Sequence, residues 1–593
     1  MAIQEPDPVN DSIGDKTNCV ILRDAREQRW LCFDRPEQVI TATAVDQVVD
    51  KLRLIEDQVN RSGLHAAGFI AYEAAGAFDP ALATRCGDGF PLLWFGLYGA
   101  PVVLDDSALQ SGPAADRLDW AAGIPQHDYL AAIDRIRRYI AAGDTYQVNY
   151  TFRLKSRIVG DPWDLFRSLI RAQGPGFSAY VATDDWTICS ASPELFFELD
   201  GRRIHSRPMK GTAPRGLTLD DDRAKAAGLH RCEKNRAENA MIVDMVRNDL
   251  GRIARPNTVK VSDLYRVEKY PTLWQMTTTV EAETDAGFAE ILAATFPPAS
   301  ITGAPKARTM EIIAELETAP RRVYTGAIGM LAPGRRAQFN VAIRTVLIDR
   351  KTGDAEYGVG GGIVWDSDPH GEFEECRTKA EILFRSRPEF QLLETMLWMP
   401  EDGYDLLDRH LDRLAASAEY FSFRLDVQDV RQRLAELTEG FAQTPQRVRL
   451  LVATNGEIAC EAHPFTPNAG PPLRVCLAAD PVDRTDPFLY HKTTHRRVYD
   501  EARSACPGFD DVILWNRRRE ITESTIANVI VEIDGRQYTP PVQCGLLPGT
   551  MRAELLATGR LTERVVTVED LAACSRVWLA NSVRGVYEVK LSR

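Results

Sequence analysis

The chain has 593 residues, 44% hydrophobic and 26% charged, with a formal net charge of -13. Single cores stop growing near ~250–300 residues, so this length implies two or three domains of an ordinary globular protein. The acidic balance argues against nucleic acid and anionic membrane as main partners, since both repel such a surface, but a local basic pocket for a small anion remains open.

The opening stretch MAIQEPDPVNDSIGDKTN is polar, with neither a basic leader nor the apolar core of an export signal. No apolar run reaches the ~18 residues that a membrane span needs. The 11 cysteines are scattered without CxxC or Cys/His zinc spacing, as expected of reduced thiols in a cytoplasmic protein. The HxxxH of His491 and His495 lacks the glutamate of a metalloprotease motif.

Strand-like alternation and helix-like periods mix throughout, which predicts an α/β (α+β) protein without repeats. The helical stretch ending KAEILFRS meets Arg387-Pro388-Glu389, where proline discourages continuation. The predicted domains are therefore an N-terminal part of the first unit (1–120), its catalytic region (121–386) and a second unit (387–593). The polar stretch Gly112–Gln126 marks the inner division.

Several first-unit segments carry chemistry. SPELF holds Glu194 before an apolar run, and RPMKGTAPRG (207–216) places Lys210 in a predicted turn rich in glycine and proline. ENAMIVDMVRNDLGRIA is a predicted amphipathic helix with Glu238 at its start and Met241, Ile242, Met245 and Val246 on its apolar side. In VGGGIVWDSDPHGEFEECRTKAEIL, Glu372, Glu375 and Lys379 fall at i, i+3 and i+7, on one helical face. Singly, each has an ordinary reading. The acidic face would be a solvated salt-bridge face, Glu238 a first-turn glutamate and Lys210 a loop lysine. Gly360, Gly361 and Gly362 would be a bulge or strand end, and they do not complete GxGxxG.

In order, and with GDTYQVNYTFR (143–153), FPPASITGAPKARTMEII (296–313), VYTGAIGML (323–331) and FNVAIRT (339–345), these segments resemble the chorismate-utilising enzymes over about residues 125–385. That family includes anthranilate, aminodeoxychorismate and isochorismate synthases. The resemblance implies layered antiparallel sheets with helices, and Mg2+ bridging a substrate carboxylate to Glu238 and Glu375 with Glu372 in support. Tyr324, Arg344, the backbone of Gly360–Gly362 and Lys379 would hold substrate carboxylates, and Glu194 would be the general acid/base. Members that aminate C4 have a lysine like that of PMKGT, so Lys210 is the implied nucleophile; anthranilate synthases usually carry alanine there. Gln147 stands where isochorismate-type members need a lysine, and Gln275 stands where many relatives have histidine. No GxCxGxQ elbow is present, so chorismate and ammonia are the implied substrates, with ammonia from solution or from a separate glutamine amidotransferase.

In the second unit, LLETMLW leads into the predicted amphipathic helix of LLDRHLDRLAASAEYFSF, which contains Arg413. VRLLVATNGEIA predicts a hairpin at Asn455-Gly456. HKTTHRRVYD, ITESTIANVIV and GLLPGTMRAELL follow. Alone, Arg413 reads as a polar-face arginine, Lys492 as one basic loop residue and Glu523 as a turn residue. Thr550 reads as the N-cap of a helix whose start attracts phosphate. In this order the motifs resemble fold-type IV pyridoxal-phosphate enzymes over about 389–593. The resemblance implies Lys492 as Schiff-base lysine, Arg413 and Thr550 at the cofactor phosphate and Glu523 at the pyridinium nitrogen. Association with the first unit favours a lyase that eliminates pyruvate to give p-aminobenzoate. The alternative is an anthranilate-type synthase fused to an aminotransferase-like domain.

Overall fold

The computed structural model describes residues 13–14, 16–85, 87–105, 109, 118–384, 388–441, 443–466 and 471–592. The first part of the predicted inner division at Gly112–Gln126, and Arg387, lie outside the described residues. The chain forms two compact units, Met1–Pro214 with Ala226–Arg387, and Arg215–Lys225 with Pro388–Arg593.

Among the described residues, the first unit holds two ten-stranded sheets. One runs from Gln147–Arg157 through Asp354–Ile363, Thr345–Asp349, Trp186–Ser190 and Ala179–Ala182 to Cys19–Asp24 and Arg29–Phe33. The other runs from Met209–Pro214 through Leu273–Glu283, Arg203–Arg207, Leu195–Asp200, Arg336–Val341 and Ala327–Ala332 to His65–Ile70 and Leu93–Tyr98. Strands from early in the chain thus complete both sheets.

Cys19–Asp24 is buried at every position, because both of its faces are covered. Val20 and Leu22 join Phe69, Trp94, Tyr98 and Ile328 in the core between the sheets. Cys19 and Ile21 pack on the opposite side with Phe166, Ile133 and Ile136 of the covering helices. Beneath the second sheet, Val48, Leu52, Ile55 and Val59 form the helical stripe of Val45–Ser62. The result is two facing antiparallel sheets with helices outside, as the α/β (α+β) reading expects.

Two local expectations need correction. The helix carrying Glu238 is Glu233–Gly251, so Glu238 lies in its second turn and is not a first-turn residue. The preceding Glu233, Lys234 and Arg236 are good helix formers that extend the helix upstream. Lys210 lies on a strand, Met209–Pro214, rather than in a turn. Pairing with Leu273–Glu283 extends the segment, and the turn-like composition is absorbed by a register shift between Met209 and Thr212, with Gly211 at φ +95°.

In the second unit, an antiparallel sheet is ordered Gly403–Tyr404, Leu392–Met399, Gln446–Val452, Ile458–Pro464. The helices Leu407–Phe421 and Val427–Thr438 bury Leu411, Leu414, Ala418, Val430 and Leu434 against Leu392, Met396, Val448, Leu450 and Val452. The predicted hairpin turns at Asn455-Gly456, with Gly456 at φ +92°. In an eight-stranded mixed sheet, Leu473–Leu477 has parallel neighbours on both sides, Asp511–Trp515 and Gly585–Leu591. The segment Arg215–Lys225 is part of this unit. Arg215 forks onto Asp222 at 2.8 Å through both Nε and Nη2, and the Tyr420 hydroxyl donates to Gly216 O at 2.7 Å. Among the described residues, no helix is long and apolar enough to cross a membrane.

Candidate active sites

The first site is built on the strand Asp354–Ile363, which pairs along its length with Gln147–Arg157 and places Gly360, Gly361 and Gly362 opposite Thr151, Tyr150 and Asn149. Its glycines sit in regular register at the end of the strand, so they are not a bulge, and they leave room. A Cβ on Gly358 would lie 2.3 Å from Cγ of Tyr324, one on Gly361 2.8 Å from Oε2 of Glu372, and one on Gly362 2.4 Å from Nζ of Lys210 and 3.0 Å from Nε2 of Gln147. Several candidate side chains therefore lie directly on this strand.

The helix Pro369–Ala380 begins at Asp368, whose carboxylate accepts from Gly371 N at 2.7 Å, and it presents the predicted acidic face. Lys379 donates to Gly360 O at 2.8 Å and pairs with Glu375 Oε1 at 2.7 Å. Glu372 Oε1 accepts from Ser367 Oγ at 2.7 Å. Glu238 reaches 4.0 Å from the Lys210 ammonium. Burial lowers the Lys210 pKa, and Glu238 opposes that shift while Lys379 adds to it. The strand bulge at Lys210 is held by Gln275, which donates to Gly211 O at 2.9 Å, and by Asn239, which donates to Lys210 O at 3.4 Å.

Glu194 is 3% exposed, and burial raises its pKa to about 7 against hydrogen bonds from Ser300 and the Met209 backbone. Tyr324 is buried with the Arg153 guanidinium 4.9 Å from its ring centre. Arg344 sits at φ +50° between two strands, and burial lowers its pKa while Tyr357 and Tyr270 act to raise it. Gln147 is fully buried and neither atom of its amide has a hydrogen-bond partner. Such a group is costly unless something polar meets it. In the sequence, Gln147 speaks only against isochorismate-type chemistry, and Arg153 and Ser300 carry no local signal.

Among the described residues, no three His, Cys, Asp or Glu side chains converge on a metal position. The donor set still fits magnesium, which favours carboxylate oxygens and is commonly held by one or two carboxylates with waters and an anionic substrate. Glu238 and Glu375 supply such oxygens, and both act electrostatically on Lys210.

In the second unit, Lys492 O accepts from Leu393 N at 3.0 Å, which ties the lysine segment to the strand Leu392–Met399. Burial, then Arg413, lowers the Lys492 pKa to about 8, against Glu394 and Glu523. Glu523 lies on the strand Ile521–Ser524, not in a turn. It accepts from Tyr499 Oη at 2.8 Å and Leu547 N at 3.1 Å, and burial raises its pKa to about 7 despite both.

Arg413 donates from Nε and Nη2 to Glu394 at 2.9 and 2.6 Å, and from Nη1 to Pro548 O at 3.3 Å. Glu394 is 1% exposed. Burial alone would raise its pKa, but Arg413 and His410 hold it down to about 2. His410 links Glu394 to Thr550 through contacts of 2.7 and 3.3 Å. The N-cap of Thr550–Ala557 is Gly549, not the expected Thr550. Gly549 is favoured there because a Cβ would stand 1.9 Å from Asn528 Oδ1, and the Thr550 hydroxyl meets His410 Nε2.

An arginine, a hydroxyl and helix amides beside an enclosed lysine and a buried glutamate suit a phosphorylated pyridine cofactor. Sequence reasoning missed Glu394, His410 and Tyr499. A carboxylate inside the apolar run LLETMLW was the available signal, since acidic residues are rarely fully buried unless paired.

Residues 108–385 match the chorismate binding enzyme family, and residues 391–591 match amino-transferase class IV. The aminodeoxychorismate synthase of Streptomyces griseus is 42% identical over 266 residues, covering 44% of this chain and 36% of that protein. Anthranilate synthase component 1 3 of Haloarcula marismortui is 33% identical over 410 residues, covering 59% of this chain and 81% of that protein. The crystal structure of anthranilate synthase component I from Streptococcus pneumoniae superposes with a TM-score of 0.53 at 24% identity, covering 65% of this chain and 95% of that one. This last likeness speaks for the fold alone. The chain spans little more than a third of the length of its Streptomyces griseus relative.

Proposed function

We propose, from a chain that belongs to the chorismate-binding enzyme family and carries an amino-transferase class IV unit behind it, that it makes p-aminobenzoate from chorismate and ammonia in two steps. In this reading, residues 1–120 belong to the synthase unit, 121–386 are its catalytic region and 387–593 are the lyase unit. The observation that carries the reading is Lys210, an enclosed lysine beside Gly362, Gln147 and Glu238 whose pKa is lowered by burial. A neutral amine is a nucleophile and an ammonium is not. Lys210 adds to C2 of chorismate as the C4 hydroxyl departs, and Glu194 gives that hydroxyl its proton. Ammonia then attacks C4, and the C2–nitrogen bond to Lys210 breaks. A pKa near 7 keeps enough Glu194 protonated for this role at neutral pH.

Tyr324, Arg344, Lys379 and the backbone of Gly360–Gly362 hold substrate carboxylates in this reading. Glu238 and Glu375, with Glu372 alongside, would hold magnesium, which would supply positive charge for an anionic substrate. The ammonia comes from solution or from a separate glutamine amidotransferase.

The class IV family implies pyridoxal phosphate, which when bound supplies an electron sink. Lys492 would carry it, Glu523 would face its ring nitrogen, and Arg413 with Thr550 would meet its phosphate. Lys492 then moves the proton as pyruvate leaves and the ring becomes aromatic. A cytoplasmic setting, with neither nucleic acid nor membrane as partner, completes the reading. The alternative draws on the anthranilate synthase relatives. It pairs an anthranilate-type synthase with an aminotransferase-like unit. Purified protein given chorismate, ammonium, Mg2+ and pyridoxal phosphate should yield p-aminobenzoate and pyruvate by mass spectrometry. Anthranilate as the product would favour the alternative.

A further inference from the structure

Arg321 is buried in the first unit and spends its whole guanidinium on protein oxygens. Nε donates to Glu317 Oε2 at 3.0 Å, and Nη2 donates to Glu317 Oε1 at 2.6 Å and Asn149 O at 2.7 Å. Nη1 donates to Ile301 O at 2.9 Å and Thr325 Oγ1 at 3.3 Å. These contacts use every one of its five N–H donors. Glu317 Oε1 in turn accepts from Thr151 N at 3.0 Å and Thr151 Oγ1 at 2.8 Å.

The segments gathered in this way all border the candidate site. Asn149 and Thr151 are the register partners of Gly362 and Gly360. Ile301 follows Ser300, the hydrogen-bond partner of Glu194. Thr325 follows Tyr324 and is fully buried at φ +62°, a conformation that β-branched residues rarely adopt. Thr325 is held there by its N–H to Ala342 O at 2.8 Å, by its hydroxyl donating to Tyr324 O at 2.6 Å, and by Arg321. Strain of this kind persists only where its surroundings over-determine it, and it gathers at functional sites. Arg153 closes the circuit. It donates to Thr151 Oγ1 and to Pro320 O, both at 3.1 Å, while its guanidinium lies against the Tyr324 ring.

We infer that Arg321, paired with Glu317, is a positioning residue that holds Thr325 in the left-handed region and thereby sets Tyr324 and the glycine strand for the substrate. This rests on the reading that the first unit binds chorismate. Removing one member of a buried pair leaves a lone charge and threatens folding, so the test in the full-length chain uses Arg321→Met with Glu317→Leu. Thr325→Val and Thr325→Ser form a second series that leaves the pair intact.

In a crystal structure of the double variant, Thr325 should leave the left-handed region and the Tyr324 ring should move off Gly358. KM for chorismate should rise about tenfold or more with kcat little changed, as for lost ground-state positioning, and the second unit's visible cofactor band should persist as a folding control. Thr325→Val should raise KM in the same sense, and Thr325→Ser, which keeps the hydroxyl, should restore it. If the double variant fails to fold, the Thr325 series decides. Unmoved Thr325 and Tyr324, or a wild-type KM in the double variant and Thr325→Val alike, would overturn the inference. A wild-type protein inert toward chorismate would instead sink the functional reading, while the crystal structures would still decide the positioning.

Discussion

Gly362 and Lys210 are packed so closely that a methyl group on the glycine would stand 2.4 Å from the lysine nitrogen. The obstructed atom is the tip of a flexible side chain, so Gly362→Ala should displace Lys210 rather than unfold the sheet. Misplacing a reacting group by ~1 Å costs about 10²-fold in rate. Amination of chorismate should fall by that order while the melting temperature and p-aminobenzoate formation from supplied aminodeoxychorismate stay near wild type. Steady-state assays and calorimetry check this; wild-type amination would mean that Lys210 has another place to stand.

The pH dependence of amination should reveal Glu194. Burial raises its pKa to about 7, and a general acid works only when protonated. At constant free ammonia, the rate should therefore decline as pH rises through about 7. Glu194→Gln should remove this limb and slow amination by roughly 10²–10⁴-fold. A limb that survives in the glutamine variant belongs to another group.

Glu238→Gln and Glu375→Gln should each shift the Mg2+ titration of amination to higher concentration, because each removes a charge from a hard-cation site. Glu375→Gln should also loosen Lys379, its partner at 2.7 Å, and so raise KM for chorismate. Superimposable Mg2+ titrations for wild type and both variants would rule out these ligands.

Lys492 offers a spectroscopic test. The purified protein with pyridoxal phosphate should absorb in the visible, and Lys492→Ala should lose the band and accumulate aminodeoxychorismate. Burial and Arg413 lower the lysine's pKa to about 8, so the neutral, reactive amine grows as pH rises through that value. Cofactor uptake by the cofactor-free protein should accelerate between about pH 7 and pH 9 and not wait for the ordinary lysine range near 10. A visible band retained in Lys492→Ala would refute the assignment.

How much of this was legible in the sequence depended on how local each cause was. The face of Glu372, Glu375 and Lys379 follows from helical spacing, and on it the structure pairs Glu375 with Lys379. The turn expected at Lys210 failed because strand pairing across the sheet overrode a glycine- and proline-rich composition. The helix carrying Glu238 started early because its upstream residues favour helix as strongly as its core. Glu394 and Tyr499 act through partners 16 and 24 residues away, Arg321 reaches Asn149 across 172 residues besides its near neighbours Glu317 and Thr325, and Gln147 is defined by burial that only the assembled sheets create. The Arg215–Lys225 segment belongs to the second unit although it interrupts the first, an arrangement invisible to boundaries drawn along the chain.

The most direct test of the central claim is intact-protein mass spectrometry after mixing the chain with chorismate and Mg2+ in the absence of ammonia. A covalent adduct equal to chorismate less one water is expected, localised to Lys210 by peptide mapping and discharged as aminodeoxychorismate when ammonium is added. Lys210→Ala should show neither the adduct nor amination. Near wild-type amination by Lys210→Ala, with no adduct on the native protein, would contradict it.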